Sequence, residues 1–180
     1  MVTHVPSEAR GDERGALLAF VEAQRGAIRR SVIGLTHEQA TSRPSASELS
    51  LGGLLKHVAE VELNWLRLAQ QRDNERARTQ ETWGDAFRLQ DGETVEETLK
   101  FWADVSAQTT EFIAAVDSMD DTFPLPDAPW FPQGERVSMR WFLIHLVEEL
   151  ARHAGHADII RESLDGQTAF GLLALDRETP

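Results

Sequence analysis

One helical segment, residues 140–162, constrains the fold most, because titratable side chains lie within its apolar stripe. Apolar residues recur there at intervals of three and four, and Gly155 is its only Gly or Pro, so the pattern predicts one long helix. The apolar stripe consists of Phe142, Leu146, Ile160 and Leu164. The titratable side chains inside it are His145, Glu149, His153 and His156. Because an unpaired buried carboxylate is unfavourable, this helix needs a counter-charge or a metal ion.

Two of these side chains are spaced to hold one metal ion from a single helix. Glu149 and His153 are four residues apart, so both lean along the same helix face, one turn apart. His57, at the flank of the apolar stripe of another predicted helix, would complete a set of two imidazoles and one carboxylate. Three protein ligands leave coordination positions open, as in catalytic metal sites. The alternatives are a surface ion pair between Glu149 and His153, and a His57 that is only packed or exposed.

Four long amphipathic segments predict an all-α fold, a four-helix bundle with long crossover connections. The predicted helices cover residues 12–35, 50–72, 94–118 and 138–164. Bundles of this kind build metal sites from side chains that point inward from facing helices. A short strand pair is also expected before the last long helix, with residues 123–125 against 135–137.

The rest of the chain is interpreted as connections and ends. The expected parts are a flexible N-terminus (1–11), a bundle domain (12–166) and a C-terminal tail (167–180). Residues 73–91 are polar and charged and predict a long exposed connection, in which Trp83 and Phe87 could fold back as a lid or pack on the bundle. An apolar patch at 170–175 could dock the tail on the bundle.

Composition narrows the classes of partner and of chemistry. The net charge of −12 argues against nucleic acid and anionic membrane surfaces as partners, because phosphate binding needs clustered Lys and Arg. No apolar run approaches the roughly 20 residues of a membrane span, and the N-terminus lacks a secretory pattern, so we expect a cytoplasmic protein. The chain has no cysteine, so any thiol chemistry must use a small external thiol.

Two stretches resemble metal-binding motifs of the DinB/YfiT-like superfamily of four-helix bundles. LGGLLKHVAEVELNWL is similar to the motif of the second helix, and EELARHAGHADIIRE is similar to that of the last long helix. The resemblance implies that His57, Glu149 and His153 are the metal ligands, and His156 stands where many members have Gln. Most bacillithiol-type relatives have His where this chain has Glu149. The carboxylate resembles the actinobacterial mycothiol-dependent branch, which includes maleylpyruvate isomerase and presumed S-transferases.

The same resemblance implies a reaction class. The expected cofactor is one divalent metal ion, with zinc favoured and nickel, iron and manganese as alternatives. The expected cosubstrates are mycothiol or a similar low-molecular-weight thiol, whose sulfur the metal binds, and a small electrophile that the sulfur attacks. This chemistry is thiol transfer, and it agrees with the lack of cysteine in the chain.

Three further side chains are candidates for the site. His156 is a candidate catalytic or substrate-contacting residue, and the alternative is a buried His that hydrogen-bonds another helix. Arg152 is a candidate for binding a substrate carboxylate, and the alternative is an ion pair with a neighbouring acid such as Glu148 or Glu60. His145 would replace a ligand if the helix were rotated, and core packing is the alternative.

Two other functional readings remain open. One is a metal-dependent hydrolase, in which Glu148 or His156 acts as the base for a metal-activated water. The other is a non-catalytic metal-binding bundle with a role in stress response. A homodimer formed through exposed bundle faces is compatible with each of these readings.

Overall fold

The structure is a computed structural model that describes residues 12–129 and 131–178. Within these residues the fold is mostly helical, with a short antiparallel strand pair before the last long helix. The helices are α1 (Glu13–Ser31), α2 (His37–Thr41), α3 (Leu51–Ala69), α4 (Val95–Ala115), α5 (Met139–Asp165) and α6 (Ala169–Glu178). The four predicted long helices are therefore present as α1, α3, α4 and α5, each within a few residues of its predicted ends. The expected flexible segment 1–11 lies outside the described residues.

Short polar side chains fix where the long helices begin. Ser50, Thr94 and Ser138 stand just before α3, α4 and α5, and each accepts a hydrogen bond from a backbone N–H three residues further on. These bonds satisfy N–H groups that have no partner inside the helix. Gly166 ends α5 in the left-handed conformation, with φ of 76°, which glycine adopts without steric cost.

The predicted strand pair is present before the last long helix. Strand β1 (Thr122–Pro124) runs antiparallel to β2 (Arg136–Ser138), with Phe123 opposite Val137. The strands begin and end one residue away from the prediction. The Leu125 N–H still donates to the Glu135 carbonyl at 2.9 Å, so the pairing continues past the assigned strands. The buried ring of Phe123 packs edge-on against that of Phe142, 6.2 Å between centroids, and so anchors the pair to α5.

The core lies between the four long helices. Helix α1 packs mainly on α5, and α3 packs on both α4 and α5. Fully buried side chains from each helix meet in one cluster, among them Ile28, Leu54, Leu66, Trp102, Phe142 and Leu146. Consequently α3 and α5 lie side by side, and this seam places the predicted ligands of the second and last long segments within reach of each other. In the described part of the chain, no helix has the length and apolar character needed to cross a bilayer.

Residues 73–93, which we call the strap, connect α3 to α4 and fold back over the start of α3. The strap contains a 3₁₀ turn at Trp83–Phe87 that packs on α3. The sequence left open whether Trp83 and Phe87 fold back. In the structure Phe87 packs on α3, whereas Trp83 stays largely exposed.

The C-terminal residues after α5 contain helix α6, which packs on α1. Leu172 is buried, and Asp176 forms an ion pair with Arg30 at 3.6 Å. The apolar patch predicted at 170–175 therefore contributes a buried side chain, while Phe170 remains largely exposed.

Candidate metal centre

Three predicted ligands converge at the seam between α3 and α5. His57 comes from α3, and Glu149 and His153 come from adjacent turns of α5. The Glu149 Oε1 atom lies 3.5 Å from His57 Nε2 and 3.4 Å from His153 Nε2. One ligand atom from each residue lies within 4.8 Å of the others, so the three side chains could hold a single metal ion.

The spacing of these atoms fits a small divalent cation. Tetrahedral zinc binds imidazole nitrogen and carboxylate oxygen at about 2.0–2.2 Å, which sets ligand atoms about 3.3–3.6 Å apart. The two distances to Glu149 Oε1 lie within that range. Two nitrogens and one oxygen also form a donor set that zinc, nickel, iron and manganese accept. The residues present therefore fit the cofactor that the sequence predicts.

The surroundings of Glu149 keep its carboxylate ionised and partly buried, as a cation-binding group needs to be. His57 and His153 are each 7% exposed, and the Glu149 side chain is 20% exposed. Hydrogen bonding to His153, and then to His57, holds the pKa of Glu149 well below its usual range, although burial acts in the opposite direction. Glu149 is therefore ionised at neutral pH, which is the protonation state that metal binding requires.

Two other rings pack against the ring of His57. Phe87 of the strap stacks on one face, with 4.1 Å between centroids and 21° between planes. The ring of His153 meets it edge-on at 4.7 Å and 73°. This packing explains why a histidine that the sequence placed at the flank of a helix stripe is almost completely buried.

His156 lies beside the second ring nitrogen of His153. The two Nδ1 atoms are 3.4 Å apart, so one ring can donate a hydrogen bond to the other. Because His153 directs Nε2 toward Glu149, its Nδ1 is free to bond His156, as outer partners of metal-bound histidines do. Partial burial, followed by the charges of His153 and Arg152, lowers the pKa of His156. His156 is solvent-exposed and therefore accessible to a substrate.

His145 and Arg152 lie outside the group of three converging residues. The His145 ring stacks on Trp141 at 4.9 Å and meets Trp65 edge-on at 4.5 Å. Arg152 is exposed and donates to Glu148 at 2.9 Å, as the alternative reading of the sequence expected. Glu148 also lies 3.4 Å from His145 Nδ1, so both candidates share one acidic neighbour.

Phe87 was not predicted to be a neighbour of a candidate ligand. No role was predicted for Gly52 and Gly53, where the strap lies close to α3. Two adjacent glycines inside a helical pattern are the signal that could have revealed this contact, because such glycines often mark a close backbone approach.

Comparisons with known proteins support the fold and the family. The crystal structure of a conserved protein from Enterococcus faecalis superposes with a TM-score of 0.65. The match covers 84% of this chain and 96% of that one at 15% sequence identity, which shows a shared fold alone. No curated protein sequence matches the chain. Residues 16–166, which include all three converging side chains, match the family model of mycothiol-S-transferase. The chain therefore belongs to the mycothiol-S-transferase family of DinB/YfiT-like proteins.

Proposed function

We propose that this protein is a metal-dependent S-transferase that joins mycothiol, or a similar low-molecular-weight thiol, to a small electrophile. One observation carries the proposal: two imidazole nitrogens and one carboxylate oxygen converge at the seam between α3 and α5. Membership of the mycothiol-S-transferase family supports both the thiol and the reaction class.

In this proposal His57, Glu149 and His153 would hold one divalent ion, with zinc favoured over nickel, iron or manganese. Bound there, such an ion would supply the positive charge that keeps a thiol sulfur in its thiolate form at neutral pH. The three protein ligands leave room for that sulfur to bind beside them. The sulfur then forms a bond to carbon of the electrophile, the leaving group departs with its electron pair, and the thiol proton goes to solvent.

We assign separate roles to Glu149, to His156 and to the strap. Glu149 would supply one negative charge, which balances half of the charge of a divalent cation. His156 accepts a hydrogen bond from His153 Nδ1 and so keeps Nε2 directed at the centre. Because His156 is also exposed, it is the side chain that we propose to contact the substrate. The strap covers His57 and limits the access of water to that ligand.

The composition of the chain supports an external sulfur nucleophile. There is no cysteine in the sequence, so the chain cannot form a thiol adduct of its own. A transfer reaction through sulfur must therefore take its thiol from a second substrate, as the family name implies.

Metal-assisted hydrolysis is the second candidate function, and the position of His156 favours it. In this reading the exposed imidazole of His156, beside His153, acts as a general base and takes a proton from a water molecule. Turnover of ester or amide substrates without any thiol would support hydrolysis over transfer.

The test uses protein purified without a His-tag. We expect elemental analysis to find near one divalent ion per chain, and we expect mycothiol to be conjugated to a model electrophile such as a haloarene. His57→Ala and His153→Ala should each lower metal content and reduce conjugation by at least about 10–100-fold. His37→Ala is the matched control, because His37 is exposed on α2 and should keep both properties. Full conjugation by His57→Ala would contradict the proposal.

A further inference from the structure

We propose that Phe87 is a positioning residue for the ligand His57, and that the strap at residues 73–93 exists in part to bring Phe87 there. This inference rests on the function proposed above and extends it to residues outside the three ligands. It is based on a ring stack, on polar anchors of the strap and on a close approach between two backbones.

The ring stack limits the orientation of His57. The side-chain torsion that turns a histidine ring has a broad energy well, so packing must select one orientation. Phe87 covers one face of His57 at 4.1 Å, and the edge contact with His153 at 4.7 Å restricts it further. In that orientation His57 Nε2 lies 3.5 Å from Glu149 Oε1. A ring without this packing would spend less time with Nε2 directed at the centre.

Polar anchors hold the strap on both sides of Phe87. The buried amine of Lys56, the residue next to His57, donates to the Arg88 carbonyl at 3.1 Å and forms an ion pair with Glu93. On the other side, the guanidinium of Arg78 forms an ion pair with Glu60 of α3. The strap is therefore attached to α3 before and after Phe87, which fixes the position of its ring.

Glycines on α3 allow this approach. A Cβ atom added to Gly53 would lie 2.0 Å from the Phe87 carbonyl oxygen, where no real Cβ could remain. A Cβ atom added to Gly52 would lie 2.8 Å from the Leu89 side chain. A larger residue at position 53 would push the Phe87 backbone outward and separate the two rings.

The experiment compares variants of Phe87 by their affinity for Zn²⁺ and by the visible spectrum of the Co²⁺-loaded protein. Phe87→Ala and Phe87→Leu remove the flat ring, and we expect each to weaken Zn²⁺ binding about tenfold, in competition with a chromogenic chelator. Their Co²⁺ spectra should also change, because ligand geometry sets the bands. Phe87→Tyr keeps the ring and should bind Zn²⁺ within about twofold of the wild type.

A matched control separates positioning from general packing. Phe112 on α4 is likewise half-buried and packs on the core outside the strap, so Phe112→Ala removes the same ring elsewhere. We expect Phe112→Ala to lower the melting temperature of the metal-free protein while leaving Zn²⁺ affinity and the Co²⁺ spectrum unchanged. The two Phe87 truncations should instead weaken Zn²⁺ binding and change the Co²⁺ spectrum more than they lower the melting temperature. Phe87→Leu preserves most of the apolar volume and therefore tests the inference even if Phe87→Ala folds poorly.

Two results would overturn the inference, and only the second would also contradict the proposed function. Wild-type Zn²⁺ affinity in Phe87→Leu and Phe87→Ala, together with its loss in His57→Ala, would remove the positioning role and leave the metal centre intact. Wild-type affinity in His57→Ala as well would show that the metal does not bind at this seam, and both the proposed function and the inference would fall.

Discussion

Glu62 on α3 is fully buried, and its charge is balanced by the buried Arg25 of α1. The Nε atom of Arg25 donates to Glu62 Oε2 at 3.2 Å, and Trp102 of α4 donates its indole N–H to the same oxygen at 2.9 Å. One carboxylate therefore joins three helices. A buried pair of this kind gains little over apolar packing, but it becomes costly when one partner is removed.

We predict that Glu62→Gln destabilises the protein by about 3–5 kcal/mol, because Arg25 would remain buried without its buried counter-charge and would keep only the pair with the exposed Glu22. The measurement is the free energy of unfolding in urea at neutral pH. Glu22→Gln is the control: Glu22 also bonds Arg25, at 3.2 Å, but its side chain is 54% exposed. Glu22 also forms an ion pair with Arg29, and because its carboxylate is screened by solvent, each of its two pairs should contribute at most about 1 kcal/mol. Equal losses in the two variants would contradict the assigned role of Glu62.

The individual residues differ in how far the sequence could predict them. Glu149 and His153 were identifiable because charged groups in the apolar stripe of one helix are conspicuous. Whether they meet His57 depends on how α3 packs against α5, and only the structure provides that. The pairing of Arg25 with Glu62 gave no comparable signal, since its partners belong to different helices and either could have faced solvent.

The ends of helices and strands followed from local chemistry. Ser50, Thr94 and Ser138 cap the helices that they precede, and the strand pair forms within one residue of its predicted bounds. The strap was not predictable in the same way, because its polar sequence has no regular period. Its position depends on contacts with α3, such as that of Phe87 with His57, and the adjacent glycines 52 and 53 indicate a close approach without showing which segment makes it.

Two glycines in helices should respond to alanine with opposite signs. Alanine is favoured over glycine in a helix interior by about 1 kcal/mol. Gly155 in α5 has open space around an added Cβ, so Gly155→Ala should stabilise the protein by about 0.5–1 kcal/mol. At Gly53 the added Cβ would meet the Phe87 carbonyl oxygen at 2.0 Å, so Gly53→Ala should destabilise it by about 1–3 kcal/mol. Urea unfolding of the metal-free protein measures both changes.

The sign of the Gly53 effect is the decisive result. If Gly53→Ala stabilised the protein as Gly155→Ala does, the strap would not lie against α3 in solution. Trypsin provides a second readout, because the strap contains Arg76, Arg78 and Arg88. Cleavage after these residues should become faster in Gly53→Ala and stay unchanged in Gly155→Ala.

The whole molecule brings together segments that are far apart in the chain. Four amphipathic segments were sufficient to predict a helix bundle. The match to the mycothiol-S-transferase family over residues 16–166 agrees with that fold. The apolar pattern of residues 170–175 did not determine that α6 packs on α1, because a short apolar patch can dock on several faces of a helix bundle. The candidate ligands belong to α3 and α5, so a bound ion would link two helices that the chain connects only through α4 and two long connections.

That link predicts a stability effect of metal for the entire protein. Three converging ligands exist only in the folded state, so binding of a divalent ion shifts the folding equilibrium toward it. At a free Zn²⁺ concentration of 100 times its Kd, the stabilisation is about 2.7 kcal/mol. For a chain of this length, that corresponds to a rise in melting temperature of about 5–10 °C. Differential scanning fluorimetry with and without a chelator measures the rise.

Variants at two histidines show whether the rise comes from this centre. His57→Ala removes the α3 ligand, so its melting temperature should be nearly the same with Zn²⁺ and with chelator. His37→Ala, which alters an exposed histidine on α2, should keep the full wild-type rise. The chain has no cysteine, so unfolded protein offers no thiolate to compete for the ion and reduce the shift. An equal rise in the wild type and in His57→Ala would mean that Zn²⁺ stabilises the protein at another place, and that α3 and α5 are not joined by metal.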